Sequence, residues 1–276
     1  MRAFIFVPML KKKIRQWFWI ILIIYITSGI ALYFFQDLIL FHPVTLKSDY
    51  TYDFAEPHHE FNISVNEESN LNVIQFQATD SITKGAVLYL HGNKKNISWY
   101  VKYVPYFTRQ GYEVWMMDYP GFGKSTGTFN EQTLYVWALQ LYKLVNAHFS
   151  ADSIIIYGKS MGTGIAAQLA SKVNCKRLIL ETPYYDYPSV AKHYFPFYPV
   201  NRMLHYKIPT FRYLQNVKAA ITIFHGTEDG LIPYSNAKRL ERFLKKDDEF
   251  ITIKNGSHSD LYKFNETVLK LDSLLK

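Results

Sequence analysis

One serine stands between two glycines in the segment "YGKSMGTG", residues 157–164, which follows an apolar run and precedes a helix-like stretch. Small residues at a change from strand to helix let the backbone turn sharply and let another group approach closely. A serine at the tip of such a turn is exposed and strained, as a nucleophile requires. We therefore expect Ser160 to be a nucleophile, if other segments supply a base, an acid and an oxyanion site.

Two further polar residues follow predicted strands and complete a candidate set. Asp229 comes after the apolar run "AITIF", and His258 comes after "FITIK". In an open parallel sheet, ligands bind beyond the carboxyl ends of the strands, so these segments are expected at one edge. The order Ser160, Asp229, His258 along the chain also matches the order of nucleophile, acid and base in this architecture.

These residue types suit acyl transfer. A serine hydroxyl is a poor nucleophile until a base removes its proton, and histidine titrates near neutrality. The carboxylate of Asp229 would hold the tautomer of His258 and stabilise the imidazolium. The oxyanion needs fixed donors. The sequence offers the backbone N–H of Met161, at a helix start, and that of Asn93, after "HG".

Other residues at strand ends compete for the same roles. His91 and His225 also precede glycines, and we expect them to be structural and to bond neighbouring loops. Asp186 and Glu228 are rival acids. Asp229 is preferred because it follows the strand that precedes the strand of His258.

The elements that must position these residues alternate along the chain. From residue 71 onward, strand-like and helix-like blocks follow one another, which predicts an α/β fold with a mostly parallel sheet and helices on both faces. The predicted strands lie within 71–79, 85–92, 112–121, 153–158, 176–181, 219–226 and 249–256. The predicted helices lie within 99–111 (with Pro105 as an irregularity), 130–149 (with Asn130 or Thr133 as cap), 161–173, 235–246 and 260–275.

Residues 182–213 interrupt this alternation with five prolines and many aromatic residues. An insertion after the carboxyl end of a strand is expected to form a small cap over the site, and the alternative is a packed irregular loop. Its aromatic residues line an acyl pocket or fill the core of the cap; the candidates are Tyr184, Tyr185, Phe195 and Phe197. Lys159 is expected to face solvent or to stabilise a loop. The alternative is that it attracts an anionic headgroup.

The N-terminus is predicted to cross a membrane. Residues 17–35 carry no charge, and a helix of this length spans a hydrocarbon core of about 30 Å. The basic residues before it are expected to stay cytoplasmic, which sends the rest of the chain to the exported side. That side is periplasmic or extracellular in a bacterium and lumenal in a eukaryote. An uncleaved single-pass anchor is preferred over a cleaved signal.

Three segments are expected: a basic tail and anchor (1–36), a connector with the first strands (37–70), and an α/β domain (71–276). Residues 1–36 hold five basic residues and no acidic ones, so most of the net charge of +8 comes from this segment. The remainder of the chain therefore does not indicate a nucleic-acid-binding surface. Cys175, the only cysteine, is expected to be structural. The sequence predicts neither a metal site nor a cofactor.

Five motifs together resemble the α/β-hydrolase superfamily, and most closely its membrane-anchored serine hydrolases with one N-terminal helix: "LHGN", "DYPGFGKSTGT", "GKSMG", "HGTEDGLIP" and "NGSHSDL". The resemblance implies Ser160 as nucleophile, Asp229 as acid and His258 as base. It implies cleavage of a carboxylic ester or thioester, with a lipid or another acyl compound as substrate and the bilayer as partner. Two alternatives stay open: a serine peptidase of the same fold and an inactive membrane scaffold. Substrate identity and oligomeric state are not implied.

Overall fold

A sheet of eight strands forms the centre of the structure, a computed structural model that describes residues 6–79 and 82–276. The predicted basic tail includes Arg2, which lies outside the described residues. In chain order the strands β1 to β10 are His42–Pro43, His58–Asn66, Ser69–Phe76, Gly85–Leu90, Lys94–Lys95, Tyr112–Met117, Ile154–Lys159, Arg177–Glu181, Ala220–Gly226 and Glu249–Ile253. The central sheet has the order β10-β9-β8-β7-β4-β6-β3-β2, and the short strands β1 and β5 pair separately.

Helices cover both faces of the sheet. The helices α1 to α11 are Phe6–Phe34, Gln36–Leu40, Ile97–Tyr100, Pro105–Thr108, Glu131–Asn146, Met161–Ala170, Tyr187–Tyr194, Val200–Met203, Thr210–Leu214, Tyr234–Lys238 and Asn265–Leu274. Short 3₁₀ helices occur at Val101–Tyr103, Ala151–Ser153, Arg239–Phe243 and Leu261–Lys263.

The middle strands are parallel because their side chains are apolar on both faces. In β4, Leu88 packs into the cluster on one face, whereas Val87 and Tyr89 pack into the cluster on the other. Every residue of β4 and β7 is buried. Only the pairs β2–β3 and β3–β6 are antiparallel. The predicted α/β class and mostly parallel sheet are confirmed.

The first strands depart from the predicted division. β2 pairs with β3 along most of its length and thereby joins the central sheet. The expected boundary between residues 70 and 71 consequently falls inside β3. β2 is an edge strand with alternating exposure, a weaker sequence signal than the continuous apolar runs of the central strands.

Three predicted helices are interrupted, and one of them, 260–275, divides into the 3₁₀ helix Leu261–Lys263 and α11. The segment 99–111 divides into α3, a 3₁₀ turn and α4, and Pro105 is the first residue of α4. Proline lacks the N–H that a continuous helix needs and is favoured in a first turn. The segment 235–246 contains α10 and then a 3₁₀ helix. In contrast, α5 is regular, and Asn130 caps it by accepting from the Thr133 N–H at 2.8 Å.

The insertion at 182–213 forms helices and is not an irregular loop. α7 and α8 lie within it, and α9 begins near its end. Residues of α7 and α8 line the same cavity as Ser160, whereas α9 packs against α6.

α1 is the longest helix of the described chain. Its residues Leu10–Phe34 have a mean hydropathy of 2.0 and are not buried against the rest of the structure. By length and composition such a helix can cross a membrane, and a secretory signal meets the same criterion.

Candidate active site

Ser160 lies at the turn between β7 and α6. Its backbone has φ 51° and ψ −119°, a conformation that non-glycine residues rarely adopt. The Ser160 N–H donates to the Glu181 carbonyl at 2.9 Å, which ties the turn to the neighbouring strand. A Cβ at Gly162 would lie 2.0 Å from the Leu90 carbonyl oxygen, so only glycine fits there. The turn has the geometry of the expected strained elbow.

Ser160, His258 and Asp229 lie in hydrogen-bonding sequence at one edge of the sheet. Ser160 Oγ is 2.9 Å from His258 Nε2. His258 Nδ1 donates to Asp229 Oδ2 at 2.8 Å, which leaves Nε2 as the basic nitrogen facing the hydroxyl. The structure thus brings together three residues that are far apart in the chain.

The surroundings of Asp229 keep it ionised. Burial raises the pKa of Asp229, but the hydrogen bond from His258 and the Ile232 N–H outweigh this effect, and the net pKa is lowered. Asp229 Oδ1 accepts from the N–H groups of Leu231 at 2.9 Å and Ile232 at 2.8 Å. A fixed, charged carboxylate can therefore orient the imidazole.

The loops that carry the acid and the histidine brace each other. The Glu228 N–H donates to the Gly256 carbonyl at 2.9 Å. The Ser257 N–H donates to Asp260 Oδ1 at 2.7 Å. His258 follows directly, and its side chain is 17% exposed.

The two proposed oxyanion donors, Met161 and Asn93, lie on either side of the serine. Met161 is the first residue of α6, whose first N–H groups lack helical acceptors. Asn93 follows β4, and both residues line the same cavity as Ser160. The Asn93 carbonyl accepts from the His42 N–H at 2.9 Å, and its side-chain amide donates to the Leu40 carbonyl. This loop is thus held by the segment that follows α1.

A cavity of about 350 Å³ lies above Ser160. The cap supplies apolar and tyrosine side chains, α6 and the loop after β9 supply the floor, and α1 and α2 supply a further wall. Among the described residues that line the cavity, none carries a charged side chain. The site is consequently suited to an apolar group.

The four aromatic candidates from the cap separate into two pairs. Tyr184 and Phe195 line the cavity, and the Tyr184 hydroxyl donates to the Met161 carbonyl at 3.1 Å. Tyr185 instead stacks on Phe211 with ring centroids 4.3 Å apart, outside the cavity. Phe197 is also outside it and is 84% exposed.

The exposure expected for Ser160 is not observed, since the residue is only 6% exposed. The cap and the first helices cover the turn, so the hydroxyl faces the cavity and not open solvent. Lys159 is likewise buried and forms an ion pair with Glu181, which removes it from solvent and from any headgroup.

The rival residues occupy structural positions. His91 lies beside Asp118 and its Nδ1 is 2.7 Å from the Gly92 carbonyl oxygen. His225 Nε2 donates to the Ile232 carbonyl at 3.0 Å, and burial lowers the pKa of His225. Asp186 caps α7 by accepting from the Ser189 N–H at 2.7 Å.

Cys175 is half-buried in the segment between α6 and β8 and does not line the cavity. Burial raises the pKa of its thiol to about 12, so the thiolate is scarce at neutral pH. No group of three or more His, Cys, Asp or Glu side chains in metal-binding arrangement occurs in the described residues.

Sequence reasoning missed the contribution of the N-terminal helices to the cavity. Leu32, Gln36 and Leu40 line it together with Ser160. The available signal was the placement of Tyr25, Ser28 and Leu32 three or four residues apart, on one face of a helix. The mixed composition of that face is unusual in a segment that otherwise reads as uniformly apolar.

Comparison with known proteins identifies the family. The family model described as serine aminopeptidase, S33, matches residues 81–218, half of the chain. The match includes Asn93, Ser160 and Met161 and ends before Asp229 and His258.

Two relatives in sequence are similar over most of the chain. An uncharacterised protein, R595, of Acanthamoeba polyphaga mimivirus is 27% identical over 265 residues, 83% of this chain and 88% of that protein. Alpha/beta hydrolase domain-containing protein 17C of Xenopus tropicalis is 25% identical over 194 residues, 68% of this chain and 61% of that protein. The chain therefore spans about three fifths of the length of the frog protein.

Solved structures share the fold. The esterase Pf2001 of Pyrococcus furiosus has a TM-score of 0.66 at 16% identity, over 86% of this chain and 97% of its own. A soluble variant of monoglyceride lipase from Saccharomyces cerevisiae has a TM-score of 0.63 at 15% identity, over 84% and 98%. At these identities the likeness establishes the α/β-hydrolase fold and no more.

Proposed function

The chain belongs to the α/β-hydrolase family, and from this premise we propose that it is a serine hydrolase that cleaves a carboxylic ester or thioester. The observation that carries the proposal is a pair of hydrogen bonds through His258. Its Nε2 lies 2.9 Å from Ser160 Oγ, and its Nδ1 lies 2.8 Å from Asp229 Oδ2. Such a series is recognised by its geometry and by the role of each member.

The proposed reaction has two steps. Ser160 Oγ attacks the acyl carbonyl while His258 Nε2 takes its proton, and His258 then gives that proton to the departing alcohol or thiol. Water attacks the acyl-enzyme with His258 again as base, which releases the acid and restores the serine hydroxyl. Asp229 stabilises the imidazolium in both steps. The N–H groups of Met161 and Asn93 are proposed to bind the oxyanion, and losing one such donor typically costs about 10²–10³ in kcat.

The cavity supports an acyl substrate more than a peptide. An aminopeptidase must bind a charged amino terminus, for which a carboxylate is the natural partner. The described lining has no charged side chain and instead contains leucine, valine and tyrosine residues. The family description names an aminopeptidase, so a peptidase remains the second candidate, and its activity on an aminoacyl amide is the distinguishing assay.

We further propose that α1 spans a membrane as an uncleaved anchor. Its N-terminal end carries the exposed residues Lys11, Lys12 and Lys13, which favours a cytoplasmic N-terminus and an exported hydrolase domain. Contacts of α1 itself with the cap support retention of the helix: Tyr25 stacks on Tyr198, and Ser28 Oγ lies 2.6 Å from the Tyr198 hydroxyl.

Turnover of p-nitrophenyl esters and acyl thioesters of graded chain length tests the function. The full-length protein in detergent is expected to hydrolyse them, with Ser160→Ala inactive and Ser171→Ala, at the far end of α6, equal to wild type. A folded wild-type protein that hydrolyses neither series would leave the inactive-scaffold alternative. Hydrolysis of an aminoacyl amide alone would favour the peptidase.

A further inference from the structure

One wall of the cavity comes from α1 and from α2, the short helix after it. Leu32, Gln36 and Leu40 face the same cavity as Ser160. A helix proposed as an anchor therefore also contacts the space in which the nucleophile lies. An anchor that serves only as a tether would need no such contact.

The contact between α1 and the cap is specific. The rings of Tyr25 and Tyr198 are stacked with centroids 4.7 Å apart and an interplanar angle of 7°. The Tyr25 hydroxyl donates to the Phe197 carbonyl at 2.9 Å, and Ser28 Oγ is 2.6 Å from the Tyr198 hydroxyl. Polar groups within a membrane-spanning segment typically pair with protein groups, as these do.

A glycine permits this close approach. A Cβ at Gly29 would lie 3.0 Å from Cε1 of Tyr198. Small residues at the interfaces of membrane helices allow such packing. Beyond the end of α1, the Gln36 side chain is buried and continues the contact, since its Oε1 accepts from the His205 N–H at 2.7 Å.

On the proposed membrane span, the position of these contacts along α1 would put the tip of the cap at the depth of the hydrocarbon core. Tyr25 and Ser28 lie about 9 to 14 Å before the end of the apolar segment at Phe34, at 1.5 Å per residue. The hydrocarbon core is about 30 Å thick, so Phe197 and Tyr198 lie at hydrocarbon depth. Phe197 is 84% exposed, which is costly in water and favourable against lipid.

A groove of about 300 Å³ is lined by both α1 and the cap, beside the contact between Tyr25 and Tyr198. Ile26 and Ile30 line it on the helix side, and Pro199 lies on the cap side. Tyr198 and Met203 line both this groove and the cavity above Ser160, so the two spaces adjoin.

We propose that an acyl chain of a bilayer lipid ester enters from the leaflet through this groove, with α1 as one wall of the substrate site. The inference rests on the proposed function and on the proposed membrane span. If the acyl chain of the lipid lies in the bilayer at the level of Ser28, its ester group lies near the level of Gln36, beside the cavity that contains Ser160. The groove opens among lipid-facing residues, so lipid esters that diffuse in the leaflet reach it at high local concentration.

The test compares two substrates in each of several variants. The full-length protein is reconstituted in phosphatidylcholine vesicles that contain 1-oleoylglycerol, and p-nitrophenyl acetate is supplied in the water. Gly29→Leu separates α1 from Tyr198, and Ile30→Trp fills the groove without separating them. Ala31→Leu is the matched control, because Ala31 lies on the opposite face of the helix and is exposed.

The ratio of oleoylglycerol turnover to acetate turnover is expected to fall at least tenfold in Gly29→Leu and Ile30→Trp. It is expected to stay within twofold of wild type in Ala31→Leu. An unchanged ratio in both groove variants, with acetate turnover retained, overturns the inference and leaves the proposed function intact. Cleavage of a vesicle-bound S-palmitoyl peptide without cleavage of oleoylglycerol also overturns it. If the wild-type protein hydrolyses neither 1-oleoylglycerol nor p-nitrophenyl acetate, the proposed function itself is wrong.

Discussion

His258 and His91 each pair with an aspartate at the same edge of the sheet, and only His258 reaches the serine. His258 Nδ1 is 2.8 Å from Asp229 Oδ2, and His91 Nε2 is 3.2 Å from Asp118 Oδ1. Both histidines follow strands, as the sequence indicates. The residue types alone therefore do not decide which pair acts in catalysis.

The difference lies in the second ring nitrogen. In His91 it lies 2.7 Å from the Gly92 carbonyl oxygen, and the side chain is fully buried. In His258 it faces Ser160, and the side chain is 17% exposed. A general base needs a free nitrogen within reach of a substrate proton, which only His258 has.

The two carboxyl groups also differ in their electrostatic environment. Burial raises the pKa of Asp118, in spite of His91 and the Ile97 N–H. Burial acts in the same direction on Asp229, yet His258 and the backbone N–H of Ile232 lower its pKa overall. Within residues 6–79 and 82–276, Asp118 Oδ2 has no hydrogen-bond partner, whereas Asp229 Oδ1 accepts from two N–H groups and Oδ2 from His258. The hydrogen-bond donors around Asp229 therefore keep it in the ionised form that catalysis requires.

Replacing each histidine with alanine should affect a different property: activity for His258 and stability for His91. His258→Ala is expected to lower kcat for a p-nitrophenyl ester by about 10⁴–10⁶, because the base is lost. The free energy of unfolding should change by less than about 2 kcal/mol, since the side chain is partly exposed. Steady-state kinetics and chemical denaturation in detergent measure the two quantities. A decrease in kcat of less than tenfold would show that His258 is not the general base.

The same aspartate-to-asparagine change should separate the two acids. Asp229→Asn is expected to lower kcat by about 10⁴, since the amide favours the wrong tautomer of His258. Asp118→Asn serves as the matched control and should lower kcat by less than tenfold. Equal losses in both variants would show that the two pairs are not distinct in function.

His91→Ala is expected to act mainly on stability. Its ring packs against Tyr119 and Tyr100, with centroids 4.3 and 5.0 Å away, and the variant leaves a cavity there. The expected loss is about 3 kcal/mol in the free energy of unfolding. Denaturation of the variant beside His258→Ala provides the comparison. A stable His91→Ala protein with the kinetic defect of His258→Ala would contradict this assignment.

The smallest expected effect is a difference in pH dependence. Asp229, with a lowered pKa, contributes stability that is present above the ordinary value of 3.8 and is lost as the pH falls through its folded pKa. Asp118, with a raised pKa, contributes stability that is present below 3.8 and is lost as the pH rises through its folded pKa. The unfolding free energy of wild type minus each asparagine variant, on the order of 1 kcal/mol, should therefore change in opposite directions with pH. Parallel changes would contradict the two pKa directions.

Much of the sheet and its polar edge follows from the sequence. The central strands are continuous apolar runs. The strands before Ser160, Asp229 and His258 each end in a glycine-bearing polar segment, so the positions of these residues along one edge are predictable. Asn130 is predictable as a cap because its side chain satisfies a free N–H of α5.

The cavity was less predictable because its lining depends on tertiary packing. Phe195 and Phe197 are two residues apart, yet only Phe195 faces the cavity, and no local pattern distinguishes them. The burial of Lys159 depends on Glu181 in the adjacent strand, a partner that sequence spacing does not indicate. The role of Leu32 requires that α1 lie beside the cap, a contact between segments far apart in the chain.

Mass-spectrometric mapping of a fluorophosphonate adduct tests the central claim most directly, because the reagent reacts with a serine only where a base activates it. The account predicts one adduct on the wild-type protein, at Ser160, and its strong reduction in His258→Ala but not in His91→Ala. An adduct at a different residue, or none on a protein that hydrolyses esters, would contradict the account.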